Sequence, residues 1–416
     1  MNNGVDDEVV PVDFYNLKHY EMAFLDCDLV PNEIWEIIFG FVPFQIRGIL
    51  LFVCKKWQAI LPRIQQMDIL FMAKHAYINL MEWSWEICGE YLRDRYRQHI
   101  CIRAVAHGHV DVLKWALEHK CVLNKYVFST ATKHNRLEIS KLLKKYNCPW
   151  DTWTLTKAAE QGSLKLVIWL RENGCPWDKN TMYYTALHGH LGVLKYLNEN
   201  DCPRHESLCE AAASSGNIEV LMLARECGSP WSKRVCAAAA ASGSFDILKW
   251  ARNNGCPWDE STCIYAAARG HMEMLKWARS NNCPWNLHVC HVAAAQGHLN
   301  ILQWAHENGC PWDETVFVAA AKHGHMHVLK WLFKENCPYS PMASGAAAEQ
   351  NNIKVLEWLY QKGLLVASHA GIYASECGHL SVLMWLKEKK CVWDLRQCLT
   401  VTENPEIKQW LNMHIV

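Results

Sequence analysis

Net charge is the first thing this chain of 416 residues lacks: 42 basic and 42 acidic side chains cancel to a formal +0. Nucleic-acid binders carry a net basic footprint, and neither a basic tail nor a long acidic run is present, so no nucleic-acid partner is expected. Long apolar runs are also missing. The best stretch, near Ile46 to Cys54, is interrupted by Arg47 and falls far short of the roughly 20 residues that span a bilayer. Residues Met1 to Asp13 are acidic and polar, without the basic and apolar regions of a signal peptide. These absences lead to the expectation of a soluble intracellular protein, cytoplasmic or nuclear, with no membrane partner. Catalytic signatures are absent too. There is no Gly-rich phosphate loop, His-Glu-x-x-His helix or Gly-x-Ser-x-Gly elbow, so no enzyme, catalytic residue, cofactor or metal is expected.

What is abundant is regularity. Cys121, Cys148, Cys175, Cys202, Cys256, Cys283, Cys310, Cys337 and Cys391 fall in steps of 27, with Ser229 and Leu364 in the two remaining slots. A second marker keeps the same step: Gly108, Gly162, Gly189, Gly216, Gly243, Gly270, Gly297, Gly324 and Gly378, with Asn135 and Asn351 as substitutes. A fixed period of this size means a stacked-repeat architecture. In the copy from Cys256 to Asn282, Asp259 is placed to cap a first helix that runs to about Arg269. Gly270-His271 makes the turn, and a second helix ends near Asn281. Gly or Asn before the cysteine slot suits the left-handed residue that closes a helix.

The chain holds 20 cysteines, which in a small secreted protein would imply disulfides. Here nine share one slot, and six more (Cys101, Cys209, Cys236, Cys263, Cys290, Cys398) lie seven residues before the glycine slot. Equivalent residues in stacked helices are roughly 8–10 Å apart. A disulfide needs Cα atoms within about 7 Å, and a zinc site needs thiolates about 2.3 Å from one metal. The cysteines are therefore expected to be buried, reduced and small. The two tryptophan columns, such as Trp250 and Trp258, and the histidines after the glycine slot are expected to pack and to hydrogen-bond in turns.

Two resemblances follow from quoted residues. Pro31, Glu33, Ile34, Ile38, Phe39, Pro43, Leu51, Val53, Cys54, Lys55 and Trp57 match the order and spacing of the F-box, with Val30 replacing the usual leucine. The repeat resembles the ankyrin repeat in its second half, as in Ala293-Ala294 with Gly297-His298 and Ala320-Ala321 with Gly324-His325. That family's period is about 33 residues, so about six are missing, and the gap falls where the ordinary repeat carries its β-hairpin finger. Short-period ankyrin arrays behind an F-box resemble proteins of giant DNA viruses of amoebae and some protists; a viral protein would act in the host cell.

The expected fold is all-α: a three-helix F-box, then an ankyrin-like helix-turn-helix solenoid with shortened or missing fingers. The expected segments are a flexible lead-in at 1–25, the F-box at 26–62 and a helical connector at 63–97. About eleven repeats then fill 98–398, with a cap at 399–416. The resemblance implies that Pro31, Ile34, Ile38, Phe39, Val53 and Trp57 bind a Skp1-type linker, and through it a cullin, while the repeats hold a target protein. The alternative is a scaffold or competitor in which the F-box-like helices only cap the solenoid. A cysteine array that buffers metal is a remote third reading. Target contact is expected at positions that vary between copies and face the concave side or its rim: Lys157, Gln161, Tyr184, His188, Tyr265, Arg269, Gln296 and His323.

Overall fold

The computed structural model describes residues 69–87 and 90–415, all helices and short connections. The F-box-like segment 26–62 lies outside the described residues. The chain divides into two compact units, residues 1–149 and 150–416.

The first unit holds α1 (Ile69–Lys74), α2 (Ile78–Ile87), α3 (Glu90–His107), α4 (Val110–Glu118), α5 (Lys125–Lys133) and α6 (Leu137–Lys145). Helix α3 runs unbroken across positions 97 and 98, so connector and first repeat share one helix. Helices α1, α3 and α5 pack in a row.

The second unit begins with α7 (Thr152–Glu160) and α8 (Leu164–Glu172), α9 (Lys179–Leu187) and α10 (Leu191–Glu199), and α11 (Leu208–Ser215) and α12 (Ile218–Glu226). It continues with α13 (Lys233–Ser242) and α14 (Phe245–Asn253), α15 (Glu260–Ala268) and α16 (Met272–Ser280), and α17 (His288–Ala295) and α18 (Leu299–Glu307). The last pairs are α19 (Glu314–Lys322) and α20 (Met326–Lys334), α21 (Met342–Glu349) and α22 (Ile353–Gln361), α23 (Ala367–Cys377) and α24 (Leu380–Glu388), and α25 (Leu395–Val401) and α26 (Pro405–Asn412).

Each first helix packs on the next along the row from α7 to α25. Alanine pairs such as Ala239-Ala240 and Ala266-Ala267 are fully buried there, and their small side chains let neighbouring backbones come close. Second helices contribute the larger apolar groups, including Leu248, Leu275, Leu302 and Leu329, all fully buried.

Helix ends follow the expected chemistry. Asp151, Asp178, Asp259 and Asp313 each accept from the backbone amide two residues on, which satisfies an otherwise orphaned donor. The residues before the cysteine slot are left-handed whether Gly (Gly174, Gly255) or not (Asn147, Asn282, and even Lys120 and Lys390). No strand occurs among the described residues; the Cys-Pro-Trp-Asp connector stands where a finger would project.

Candidate protein-binding face

The turn between the two helices of a repeat is held by the repeat that follows. His190 reaches back to the Glu160 carbonyl at 2.9 Å, His325 to Ala295 at 3.0 Å and His379 to Glu349 at 2.9 Å. Each imidazole thus takes up a free carbonyl at the end of the preceding first helix. The contact also explains the glycine slot. Gly162 has φ +70°, and a Cβ there would lie 2.5 Å from Nδ1 of His190. Sequence spacing pointed to turn hydrogen bonding, but not to a bond that spans 30 positions and joins two layers.

In most repeats the residue before the glycine slot is the C-cap of the first helix; on α11, α13 and α23 the glycine itself takes that place. Gln161, His188, Arg269, Gln296 and His323 occupy that place on α7, α9, α15, α17 and α19, and all five are exposed. They form an open row along the turn edge. The other variable position, five before the glycine slot, is uneven. Ala211 and Ala319 are buried there, while Tyr265 is 46% exposed. Ala211 and Ala319 sink between first helices, whereas the large ring of Tyr265 reaches the open face.

The structure brings two of the expected residues together. Tyr184 lies 5.8 Å from Trp153, ring to ring, and the Lys157 ammonium sits over both rings at 5.7 and 5.8 Å. Glu160 pairs with Lys157. Tyr183 extends the cluster to His205 at 4.8 Å. Trp153, 45% exposed, escaped notice in the sequence because it sits outside the two tryptophan columns. Tyr265, Arg269, Gln296 and His323 lie farther along the row, outside this cluster. Pro31, Ile34, Ile38, Phe39, Val53 and Trp57 lie outside the described residues.

The repeat markers themselves are used up in packing. The slot thiols donate to the helix-capping residue one repeat back: Cys148 to the Asn124 carbonyl at 3.4 Å, Cys256 to Ser232 at 3.5 Å and Cys283 to Asp259 at 3.4 Å. Spacing within one column had suggested isolated thiols, yet the two columns meet each other. Cys101 contacts Cys121, Cys236 contacts Cys256, Cys263 contacts Cys283 and Cys290 contacts Cys310. The S–H···S contact, with burial, pushes Cys101, Cys236, Cys263 and Cys290 up, and the same contact lowers Cys121, Cys256 and Cys310. Cys148, Cys202 and Cys337 are pushed up to about 12 by burial. Among the described residues, no three His, Cys, Asp or Glu side chains converge as a metal site would need.

The tryptophan columns form a second seam. Trp231 meets Trp250, Trp258 meets Trp277, and Trp285 meets Trp304 edge to face at 5.8–5.9 Å. Arg225, Arg252 and Arg279 from the preceding repeat cover Trp231, Trp258 and Trp285 at 4.0–4.4 Å. The same guanidinium groups donate to the carbonyls of Ser229, Cys256 and Cys283. What remains open is the row of first-helix ends, together with a shallow groove lined by Tyr360, Leu365, Val366 and Val392.

Residues 290–367 match a family model for ankyrin repeats in three copies, and residues 235–279 match one for ankyrin repeats in many copies. None of the curated proteins compared matches the chain. Among solved structures it is similar to the human ASB11 ankyrin repeat domain, at 19% identity and a TM-score of 0.25, over 43% of this chain and 82% of that one. It is also similar to the pentatricopeptide repeat protein PPR10 in complex with an RNA element, at 10% identity and a TM-score of 0.39, over 92% of this chain and 67% of that one. Among the described residues, no helix is long and apolar enough to cross a membrane.

Proposed function

We propose that this chain, whose residues 235–279 and 290–367 are ankyrin repeats, is the substrate-recognition subunit of a cullin-based ubiquitin ligase. Ankyrin repeats bind protein partners, and the open row of varied side chains on a uniform scaffold is the observation that carries a binding role here. Gln161, His188, Arg269, Gln296 and His323 differ in size and charge at one geometric position. A shared scaffold with a few differing surface residues is how repeat proteins acquire distinct partners. Target contact is assigned to Lys157, Gln161, Tyr184, His188, Tyr265, Arg269, Gln296 and His323, with Trp153 added.

The F-box motif at 26–62 supports the ligase half of this reading. Pro31, Ile34, Ile38, Phe39, Val53 and Trp57 bind a Skp1-type linker, which joins a cullin. The chain supplies no catalytic group; it positions a target lysine near a partner's ubiquitin-loaded enzyme. On the resemblance to giant-virus proteins, the target would be a protein of a host cell.

Pull-down with Skp1 tests the reading. Wild type should bind, and the double variant Pro31→Ala, Ile38→Ala should not. Failure of wild type to bind removes the ligase role. Deletion of residues 1–62 then separates the rival: a pure scaffold capped by these helices loses thermal stability sharply, whereas an adaptor keeps a folded array.

A further inference from the structure

The turn row of residues 69–149 differs in chemistry from that of residues 150–416. Lys74, Arg103, His107, Lys133, His134 and Arg136 all lie at the C-terminal ends of α1, α3 and α5 or in the turns that follow, and all are exposed. None pairs with a carboxylate among the described residues. Two carboxylates of this unit, Asp111 and Glu138, sit on second helices and are taken by Lys114 at 3.6 Å and Lys141 at 2.7 Å. In the second unit two cations of the corresponding helix ends are neutralised, Lys157 by Glu160 and Lys322 by Glu349 at 2.8 Å, while Arg269 at the end of α15 is exposed without such a pair among the described residues.

Helix dipoles account for part of the arrangement, because cations stabilise helix C-termini. Lys74, His107 and Lys133 stand in last turns. Arg136 does not fit that account. It is the N-cap of α6, where the dipole opposes a cation, and its guanidinium lies over Gly108, within 2.9 Å of where a Cβ would stand. Arg103 lies inside α3, before its last turn. Lys74, Arg103, Lys133 and Arg136 are thus like charges on one face with no carboxylate partner among the described residues.

We propose that this face binds an acidic segment of a protein partner, an Asp- and Glu-rich stretch lying along the ends of α1, α3 and α5. The inference rests on the protein-binding reading above and supplies the chemistry of one part of the target. Carboxylates would neutralise charges that repel one another in the free chain, and charge-assisted bonds to two arginines give the contact direction. A protein segment is favoured over RNA because the ankyrin repeats matched at 235–279 and 290–367 bind protein partners.

The probe is a fluorescein-labelled decaglutamate peptide, titrated by anisotropy against the full chain in low salt. Saturable binding is expected, weakened as salt rises. The triple variant Arg103→Glu, Lys133→Glu, Arg136→Glu should weaken it by about tenfold or more, since each contact is charge-assisted. A control, Lys195→Glu, Lys330→Glu, Lys354→Glu, makes the same charge change on exposed second-helix positions and should stay within about twofold. The glutamine triple at 103, 133 and 136 repeats the test if the reversed variant melts early. No binding by wild type, equal loss in both triples, or tighter binding of a single-stranded RNA of similar length overturns the inference. Skp1 capture by the same variants is expected to be unchanged, so failure of the peptide arm alone leaves the adaptor reading standing.

Discussion

Two versions of one turn row sit in this molecule. In residues 150–416 two of the cations at first-helix ends, Lys157 and Lys322, are paired, an aromatic cluster of Trp153 and Tyr184 stands beside Lys157, and histidines close several of the turns. In residues 69–149 the same geometry carries exposed cations without carboxylate partners among the described residues, and Arg136 covers the Gly108 turn where a histidine ring covers Gly162. The difference teaches that the scaffold tolerates wide change at the turn edge while its buried seams of cysteine and alanine and its half-buried seam of tryptophan recur from repeat to repeat. It also explains why a formal charge of +0 for the whole chain concealed a basic face: cancellation over 416 residues says nothing about one row.

The comparison breaks most visibly at the glycines. Gly162→Ala must hold a left-handed alanine and displace the His190 ring from the Glu160 carbonyl, so a loss of about 2–3 kcal/mol is expected. Chemical denaturation of the single variant measures it. Gly108→Ala meets only the flexible end of Arg136 and should lose about 1 kcal/mol, the backbone cost alone. Equal losses at the two sites would mean that the imidazole bond adds nothing. A smaller effect is expected at the paired cation of the second unit. Lys322→Met removes a partly exposed ion pair with Glu349 and should cost about 0.5 kcal/mol, less at high salt. Loss of several kcal/mol, or insensitivity to salt, contradicts that estimate.

The smallest effect concerns pH. His107 and His134 titrate below the usual 6.5, first through desolvation and then through the nearby cations: Lys74 and Arg103 for His107, Lys133 and Arg136 for His134. Because the unfolded chain binds these protons more readily, the stability they contribute is full above about 6.5 and falls as pH drops toward the folded values. Lys133→Gln should raise the pKa of His134 in an NMR titration and soften the acid loss. A value for His134 at or above 6.5 in wild type would remove the positive field from the account.

Much of the fold was legible because the repeat period is set by packing. Positions 27 apart meet the same environment, so Asp259, Gly270 and Cys256 announce a cap, a turn and a buried seam wherever they recur. Contacts between different columns were not legible. Nothing in the spacing of Cys263 and Cys283, or of Arg252 and Trp258, says that they touch, because that depends on how far one layer is offset from the next. The site was legible only as a rule: varied positions on a constant frame. That rule found the exposed C-cap row, but the cluster at Trp153 depends on two adjacent repeats each carrying a large ring. The basic face was missed because the register was read for variable residues only from Lys157 onward, although Arg103 stands at the same distance from Gly108.

Site-specific photocrosslinking tests the central claim most directly. A benzophenone amino acid is placed at Arg103, Gln161, His188 or Gln296 on the turn row, and at Lys195 or Lys330 on second helices, in the full chain with ligase activity blocked. The account expects one protein adduct shared by turn-row sites and none from the second-helix sites. Adducts from Lys195 and Lys330 alone, or from all sites alike, would contradict a binding face built on the ends of the first helices.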